Sequence, residues 1–334
     1  MQQLVDKYGR VHDYLRISVT DRCNLRCVYC MPAEGMQFEP EAHILTDDEI
    51  VAVVAALAPL GIRKLRLTGG EPLVRRGLPE LIGRLSAIAG IEDIALTTNG
   101  IFLARHAAAL REAGLSRVNI SLDSLVPERF ARITRGGDVR RVLAGLRASR
   151  LAGLGPIKLN VVLMRGINDD EVEAFLRLTQ EEDIHVRFIE YMPIGDAGRS
   201  WKSSYLPLQH VFDTCVQLGW SYESCDGAYG NGPAAHYRLA GARGTFGLIH
   251  PVSDHFCGSC NRLRLTADGK VKSCLYWSDE DQVRPYIGDP EAVADVFRRA
   301  LSRKPESHAM AQALQNAQPA SGTPTLRRMS QIGG

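Results

Sequence analysis

RISVTDRCNLRCVYCMP, residues 16–32, joins a short apolar run to three closely spaced cysteines, Cys23, Cys27 and Cys30. The apolar run predicts a buried β-strand that ends near Thr20, so the cysteines follow it in a loop at its carboxyl end. Thiolates are soft ligands that suit iron–sulfur clusters and zinc. The segment therefore predicts a metal-binding loop at the carboxyl edge of a sheet.

The number of ligands in this loop favours an iron–sulfur cluster over zinc. A structural zinc has four ligands, whereas the loop offers three cysteines and no histidine. A 4Fe–4S cluster held by three cysteines keeps one iron free. That iron can chelate S-adenosylmethionine (SAM) and cleave its sulfonium reductively. With Tyr29 between the last two cysteines, the loop resembles that of the radical SAM superfamily. A zinc or redox cysteine trio is the alternative.

The chain up to residue 192 repeats a strand–helix pattern. Its short apolar segments are separated by helical patterns, which is typical of buried parallel strands joined by right-handed crossovers. Polar residues follow these strands repeatedly, as they do at the active edge of βα-barrels. The pattern predicts an α/β fold, an incomplete (βα)6 TIM-like barrel rather than an open doubly wound sheet. The predicted strands are residues 15–20, 64–68, 93–98, 117–122, 157–164 and 185–192.

The segment GGEP, residues 69–72, follows the second predicted strand. Two glycines allow a backbone to approach a ligand closely. In radical SAM enzymes a segment of this kind contacts the methionine amine, which assigns Gly70 to SAM, and an ordinary turn is the alternative. Thr97 and Ser121 end the third and fourth strands. Their hydroxyls are compatible with the barrel mouth and also with local turn or capping roles.

A second cysteine group lies near the C-terminus, at Cys257, Cys260 and Cys274. The residues between the last two of these indicate a hairpin that turns at Asp-Gly, residues 268–269, a strong signal for a two-residue turn. Such a turn pairs residue 263 with residue 274 and so returns Cys274 to the chain beside Cys260. These three cysteines again leave one position of a cluster open.

Two arginines lie on the same hairpin. Alternation of side chains along a strand places Arg262 and Arg264 on one face. Guanidinium groups bind phosphate oxygens in a planar, bidentate geometry, so arginines beside an open-site cluster predict an anionic-substrate pocket. The alternative is a zinc ribbon completed by His250 or His255, and such a zinc would not require paired arginines on the inward face.

The composition is that of an ordinary globular protein: 334 residues, 45% hydrophobic and 23% charged, with a formal net charge of +2. This charge is too small to indicate nucleic-acid binding. The longest apolar run, residues 50–62, is shorter than the roughly 18 residues of a membrane span, and the N-terminus lacks the apolar part of a secretory signal. We therefore expect a cytoplasmic protein without a membrane or nucleic-acid partner. Cys215 and Cys225 have no evident role and are expected to be buried thiols.

The motifs together resemble the GTP 3′,8-cyclase family of molybdenum cofactor biosynthesis, often called MoaA. The motifs that carry the resemblance are the Cys23 loop, RLTGGEP, TTNG, SLDS, EYMPIG, FCGSCNRLRLTADGK and the Gly-Gly tail. The resemblance implies a radical SAM partial barrel over residues 1–193. It also implies a C-terminal α+β region, residues 194–334, that covers the open side and carries the second cluster and the tail. The implied cofactors are two 4Fe–4S clusters and SAM.

The resemblance also implies a reaction and its residues. A 5′-deoxyadenosyl radical would remove hydrogen from the 3′-carbon of GTP, and the carbon radical would attack the 8-carbon of guanine. The product would be (8S)-3′,8-cyclo-7,8-dihydroguanosine 5′-triphosphate. The implied catalytic residues are Arg262, Arg264, Gly333 and Gly334. SAM would contact Tyr29, Gly70, Ser121 and Met192. GTP would contact Arg16, Arg66, Thr97, Lys158, Arg187, Arg262 and Arg264.

The implied partners are an external electron donor, a second copy of the chain in a homodimer, and cyclic pyranopterin monophosphate synthase as the downstream enzyme. Two rival interpretations remain open. One is another radical SAM enzyme with an auxiliary cluster, such as a peptide modifier, although those usually carry more C-terminal cysteines. The other is a non-catalytic iron–sulfur or zinc protein that acts as a sensor or binder.

Overall fold

The computed structural model describes residues 3–194, 201–225, 232–254, 256–314 and 322–333. Its framework within these residues is one 12-stranded sheet with the spatial order β12-β11-β10-β1-β2-β3-β4-β5-β6-β9-β8-β7. The strands are β1 Tyr14–Ser18, β2 Lys64–Thr68, β3 Asp93–Thr98, β4 Arg117–Ser121, β5 Lys158–Leu163, β6 His185–Glu190, β7 Tyr222–Ser224, β8 Ala235–Leu239, β9 Thr245–Ile249, β10 Arg262–Leu265, β11 Lys270–Lys272 and β12 Asp281–Gln282.

The six predicted strands are confirmed. β1 to β6 lie side by side in chain order, and every neighbouring pair is parallel. No pairing between β12 and β7 closes the sheet within the described residues. The architecture is therefore the incomplete barrel that the strand–helix repeat predicts.

The C-terminal region completes the sheet on both sides. β10 pairs in parallel with β1, and β9 pairs in parallel with β6. The sequence predicts a C-terminal extension but not these two pairings, which join segments more than 50 residues apart in the chain. As a result, the second cysteine group is held directly against the first strand of the barrel.

The helices cover the sheet, and the first of them shows how local sequence sets their ends. Thr46 caps α1 by accepting a hydrogen bond from the Glu49 amide (3.2 Å), and the Glu49 carboxylate accepts one from the Thr46 amide (2.7 Å). This reciprocal capping box fixes where the helix begins. The helices are α1 Asp47–Leu57, α2 Leu78–Ser86, α3 Leu103–Glu112, α4 Pro127–Thr134, α5 Val139–Leu151, α6 Val172–Glu181, α7 Trp201–Ser204, α8 Gln209–Gln217, α9 Pro290–Ser302, α10 Met310–Leu314 and α11 Met329–Ile332.

The predicted hairpin is present, but its predicted register is wrong by one residue. Arg264 pairs with Lys272, and Thr266 bonds Lys270 across the turn. The turn therefore contains three residues and ends at Gly269, whose φ is +78°. A three-residue turn that ends in a left-handed glycine is a common alternative to the two-residue Asp-Gly turn.

The remaining expectations for the fold concern two cysteines and the membrane. Cys215 is fully buried in the core, as expected, whereas Cys225 is only half-buried and that expectation is wrong. Among the helices that the structure describes, none is both long and apolar enough to cross a membrane.

Candidate active site

The first cysteine loop follows β1 at the carboxyl edge of the sheet and is pinned by the end of α4. The amides of Arg26 and Val28 donate to the carbonyls of Thr134 (3.1 Å) and Ile133 (2.9 Å). The Arg135 guanidinium donates to the carbonyls of Arg26 and Met31. These bonds hold the backbone between the cysteines, so the loop is ordered by the barrel rather than by a disulfide. Cys23, Cys27 and Cys30 are all free thiols.

The thiols of this trio lie close enough to affect one another. Burial raises the pKa of Cys23 to about 11 and that of Cys30 to about 12. Burial also raises the pKa of Cys27 well above its ordinary value, and the charges of Asp123, Cys30 and Cys23 add to that rise. Deprotonated sulfur here therefore needs a cation, and a bound metal provides it, because coordination deprotonates a thiol outright. Three thiols without a histidine fit an iron–sulfur cluster.

The GGEP segment packs directly on this loop. The amide of Gly70 donates to the Thr20 carbonyl and that of Glu71 to the Arg22 carbonyl, both at 2.8 Å. A Cβ on Gly70 would lie 2.6 Å from the Asp21 carbonyl oxygen and would collide with that of Arg22. The close approach of two backbones therefore requires glycine here, whatever the residue contacts besides. The assignment of Gly70 to SAM stays a prediction.

Glu71 ties two strand ends together, a role that sequence analysis missed. Its fully buried carboxylate accepts from the Thr98 hydroxyl (2.7 Å), the Asn99 amide (2.7 Å) and the Leu73 amide (3.0 Å). Burial raises its pKa to about 7, although these bonds oppose the rise. Glu71 thus joins the GGEP segment to the end of β3. The glutamate of the GGEP motif was the one feature of the sequence that could have indicated this role.

Tyr29 is held by a second buried carboxylate. Its hydroxyl donates to Asp123 (2.7 Å), which also accepts from the Val162 amide (2.8 Å). Burial raises the pKa of Asp123 to about 6. The Tyr29 ring meets that of Tyr191 edge to face, with 6.3 Å between centroids. Tyr29 is therefore oriented beside the first trio.

A cleft opens between the strands of the sheet and the C-terminal region. It is lined by charged side chains from several strands and by the second cysteine group. The predicted site residues that line it are Arg16, Arg66, Arg187, Met192, Cys257, Cys260, Arg262, Arg264 and Cys274. Among the described residues, those that the lining omits are Cys23, Cys27, Cys30, Tyr29, Gly70, Thr97, Ser121, Lys158 and Gly333.

The strand register creates a row of three arginines along this cleft. Arg16 on β1 lies opposite Arg66 on β2 and opposite Arg264 on β10. Neighbouring strands are about 4.8 Å apart, so three cations share one line across the sheet. Arg66 donates to the Thr97 hydroxyl (3.4 Å), which places Thr97 behind the row. Such a row suits a ligand with several anionic oxygens, because each guanidinium can bind two of them.

Two further cations extend this positive region along β5 and β6. Arg187 donates to the Asn119 side chain, while its Nε has no hydrogen-bond partner among the described residues. Burial and the charge of Arg66 lower the pKa of Arg187 to about 9. Lys158 is 1% exposed and does not reach the cleft lining. Burial and the charges of Arg187, Arg117 and Arg66 lower its pKa to about 6.

We expect Lys158→Met to stabilise the free protein while weakening ligand binding. The unfolded chain keeps the lysine proton up to pH 10.5, whereas the folded chain releases it near pH 6. The lysine therefore disfavours folding below pH 10.5, and its cost is greatest at and below pH 6. Thermal unfolding should show the variant more stable by on the order of 1 kcal/mol or more at pH 7, with the advantage shrinking as the pH rises to 10.

Binding provides the second half of this test. Lys158 lies behind the cleft lining, and a bound polyanion favours its protonated form, so we expect its loss to weaken triphosphate affinity by about 10-fold, or about 1.4 kcal/mol. Lys272→Met is the matched control, because Lys272 is also buried but pairs with Glu280 at 3.2 Å. That variant takes a cation partner from Glu280, so it should be less stable than Lys158→Met. An unchanged melting curve and unchanged triphosphate affinity in Lys158→Met would contradict both expectations.

The second cysteine group lines the cleft from the C-terminal region. The charge of Cys274 and that of Cys260 act on Cys257, so the three thiols lie together despite the corrected register. Burial alone would raise the pKa of Cys260, but the charges of Arg262 and Lys304 lower it to about 6. The Arg262 guanidinium stacks over the Phe256 ring at 4.7 Å. Cations outweigh burial at Cys260, whereas burial outweighs the nearby charges of Arg26 and Arg328 at Cys23 and Cys30.

A single-ion site is not present in the described part of the chain. No three His, Cys, Asp or Glu side chains gather there closely enough to hold one metal ion. His250, one candidate for a zinc ribbon, faces Glu190 at 3.7 Å, and His255 lies outside the described residues. The wider spacing of the two trios is compatible with clusters, whose own iron and sulfide atoms lie between the thiolates.

The C-terminal tail enters the barrel between these two groups. Arg264 donates to the carbonyls of Gly333 (2.5 Å) and Ile332 (3.3 Å). Ser330 hydrogen-bonds the Cys30 thiol. Gly333 has a φ of +68°, and a Cβ there would collide with Thr68 and lie 2.7 Å from the Ser18 hydroxyl. Only glycine fits this passage, and Gly334 lies outside the described residues.

Comparisons with protein families cover most of the chain. The profile of the Radical SAM superfamily matches residues 17–179, and that of Molybdenum Cofactor Synthesis C matches residues 184–310. The chain is 58% identical over 334 residues to the GTP 3′,8-cyclase of Listeria monocytogenes, covering 100% of both chains. It is 51% identical to that of Limosilactobacillus fermentum, again over 100% of both. Identity to that of Moorella thermoacetica is 49%, covering 98% of this chain and 99% of the relative.

Solved structures match the fold at much lower identity. Streptococcus suis SuiB bound to S-adenosylmethionine superposes with a TM-score of 0.58 at 11% identity, covering 87% of this chain and 69% of that one. The same protein bound to precursor peptide SuiA gives a TM-score of 0.56 at 13% identity, covering 80% and 61%. This likeness concerns the fold alone.

Proposed function

This chain belongs to the GTP 3′,8-cyclase family within the radical SAM superfamily, and on that premise we propose that it converts GTP to (8S)-3′,8-cyclo-7,8-dihydroguanosine 5′-triphosphate. The observation that carries the proposal is the row Arg264–Arg16–Arg66, which lies in the same cleft as the second cysteine group. The row suits a triphosphate, and the adjoining cluster site suits a base. The activity is that of a lyase in molybdenum cofactor biosynthesis.

The chain binds SAM and an iron–sulfur cluster, and Cys23, Cys27 and Cys30 are the residues that we assign to that cluster. When bound, the cluster supplies the electron that cleaves SAM, and SAM supplies the 5′-deoxyadenosyl radical that takes hydrogen from the substrate. The residues that we assign to SAM are Tyr29, Gly70, Ser121 and Met192, of which Met192 also lines the cleft. The bond from Tyr29 to Asp123 supports this by fixing the Tyr29 ring beside the loop.

We assign a second 4Fe–4S cluster to Cys257, Cys260 and Cys274, with the guanine base at its open iron. The triphosphate binds the cations, and the residues assigned to it are Arg16, Arg66, Thr97, Lys158, Arg187, Arg262 and Arg264. Their role is to neutralise the charge of the triphosphate and to orient the nucleotide, because several fixed cations hold a polyanion in one position. Arg187 has an Nε free of hydrogen bonds for this purpose among the described residues.

Arg262, Arg264, Gly333 and Gly334 are the residues that we assign to catalysis. Arg264 connects the tail to the cleft, because it both lines the cleft and donates to the Gly333 carbonyl. The tail therefore links the cleft to the first cluster site, because its residue Ser330 hydrogen-bonds the Cys30 thiol. We infer that the alignment of the ribose with the radical depends on both contacts, that of Arg264 with Gly333 and that of Ser330 with Cys30.

The proposed domains, partners and cellular location are those that membership of the family implies. We propose residues 1–193 as the radical SAM barrel and residues 194–334 as the region that carries the second cluster. We propose an external electron donor, a homodimer and cyclic pyranopterin monophosphate synthase as partners. We also propose that the protein acts in the cytoplasm, because six ligand thiols must stay reduced.

The reaction itself is the direct test. The purified, anaerobically reconstituted chain is incubated with SAM, a reductant and GTP, and the nucleotides are read by mass spectrometry. We expect a cyclised GTP isomer together with 5′-deoxyadenosine. SAM cleavage that does not depend on GTP, with no cyclised nucleotide, would contradict the proposed substrate.

We expect Cys274→Ala to lose one cluster and to weaken GTP binding. Iron should fall from about eight to about four atoms per chain, while the first trio keeps its cluster and still cleaves SAM slowly. Iron analysis and GTP titration give both quantities. Cys215→Ala, which removes a buried thiol of α8, is the control. Wild-type iron content and wild-type GTP affinity in Cys274→Ala would refute the assignment of the second cluster.

A further inference from the structure

Lys304 is a buried cation at the centre of the second cysteine group. It follows α9 and is 3% exposed. Its ammonium donates to the Ser273 carbonyl at 2.7 Å and to the Arg262 carbonyl at 2.9 Å, and it lies 3.6 Å from the Cys260 sulfur. An ammonium has three protons, so each proton has one of these acceptors.

The three acceptors come from the three segments that build the site. Ser273 precedes Cys274, Arg262 begins β10, and Cys260 belongs to the turn before it. One side chain therefore fastens both strands of the hairpin and one of the thiols. The nearest comparable clamp is Arg10, which donates to the Cys257 carbonyl (2.7 Å) but to no cysteine sulfur among the described residues.

The charge of Lys304 has no carboxylate partner in the described part of the chain. Lys272, on the same hairpin, is paired with Glu280. A buried ammonium whose only acceptors were two carbonyls and a protonated thiol would be expensive to desolvate. The arrangement becomes favourable when the sulfur carries negative charge, as it does in a metal thiolate. The three acceptors of Lys304 thus indicate that its charge is stabilised by an anionic cluster at this site.

The first trio has a different surrounding. Cys23 accepts from the Leu25 amide (3.4 Å) and faces the Asn99 side chain at 3.9 Å, and both of these donors are neutral. The buried carboxylates Glu71 and Asp123 act on this trio in one direction, and the charges of Arg26 and Arg328 act in the other. Hydrogen bonds and positive charge at cluster sulfurs favour the reduced state and raise the reduction potential. The two trios therefore differ in the charge and the hydrogen bonds at their sulfurs, which help to set the reduction potential of a bound cluster.

We propose that Lys304 is a positioning residue for the second cluster, which holds Cys260 against the β10–β11 hairpin and raises the reduction potential of the cluster bound there. This inference rests on the proposed function, because it requires that Cys257, Cys260 and Cys274 bind a cluster. Lys304 lines the same cleft, but its ammonium contacts Cys260 and the carbonyls of Arg262 and Ser273, so it acts through the cysteine and the hairpin.

The test compares midpoint potentials in the full-length, anaerobically reconstituted protein. Lys304→Met and Lys304→Gln are titrated with a low-potential reductant, and each cluster is followed by electron paramagnetic resonance. We expect the second cluster to shift to a more negative potential in both variants, with the first cluster unchanged. Lys304→Arg should restore most of the wild-type potential, because it keeps the charge. Lys272→Met removes a buried lysine that bonds the Trp277 carbonyl and Glu280 rather than a cysteine sulfur, so it should produce a smaller shift.

Each outcome bears on the inference. If Lys304→Met loses iron from the second site and Lys304→Arg retains it, the positioning role is supported even before potentials are compared. If Met and Gln variants retain iron and show the wild-type potential, or if Lys272→Met shifts the potential equally, the inference is wrong. A wild-type protein with only about four irons, insensitive to Cys274→Ala, would instead refute the second cluster itself.

Discussion

Cys23→Ala should abolish the formation of 5′-deoxyadenosine. The loop offers three thiols, and three is the number of cysteines that holds a 4Fe–4S cluster with one iron free. With two thiols the SAM-binding cluster loses a third of its protein ligands, and the free iron that chelates SAM is lost with it. We expect anaerobic assays with SAM and reductant to give no detectable cleavage, with or without GTP.

The same variant should retain the second cluster and the fold. Cys23 is one of several groups at the edge of the core, and a cysteine-to-alanine change there removes little volume. Cys215→Ala, in α8, serves as the matched control and should cleave SAM at the wild-type rate. Retained 5′-deoxyadenosine formation by Cys23→Ala would remove the first trio from the mechanism.

Removal of Gly333 and Gly334 should abolish cyclisation while leaving the protein folded. Arg264 would lose the Gly333 carbonyl that it now bonds at 2.5 Å, and the tail would no longer fill the passage beside Ser18 and Thr68. Both clusters and GTP binding should stay nearly intact, because neither depends on the last two residues for a ligand. Misalignment of ribose and radical should cost on the order of 10²-fold or more in product.

A substitution separates the shape of the tail from its length. Gly333→Ala adds a Cβ that collides with Thr68 and strains a positive φ, so it should reproduce much of the effect of the deletion. Leu326→Ala is the control, since this tail residue is 92% exposed. The measurement is cyclised nucleotide and 5′-deoxyadenosine with GTP present. Full yields of both from the truncated chain would show that the tail is dispensable.

Sequence patterns predicted the barrel well, because its strands are local features. β3 begins and ends at the predicted residues, Asp93 and Thr98, and the capping box of α1 is present. The alternation of strands and helices leaves few topologies to choose from. The hairpin register failed because the choice between two- and three-residue turns depends on the left-handed geometry of Gly269, which the letters Asp-Gly do not settle.

The site was only partly predictable, because its contacts join distant parts of the chain. Arg16, Arg66 and Arg264 were all predicted to contact the substrate, but their alignment in one row depends on the pairing of β10 with β1, which the sequence does not show. Lys304 and Arg10 carry no motif at all, and their roles appear only when residues 304 and 10 meet the second cysteine group. Long-range pairing of this kind leaves no periodic signal in the sequence.

The pairing of β10 with β1 and of β9 with β6 has a consequence for biosynthesis. The strands of the first half leave the ribosome well before residues 245–265, which later cover both of their open sides. An uncovered strand edge is a template for pairing with other chains, and partly folded chains of this size aggregate through such edges. The nascent polypeptide therefore spends most of its translation unprotected, and chaperone binding during that interval would protect it until the last strands arrive.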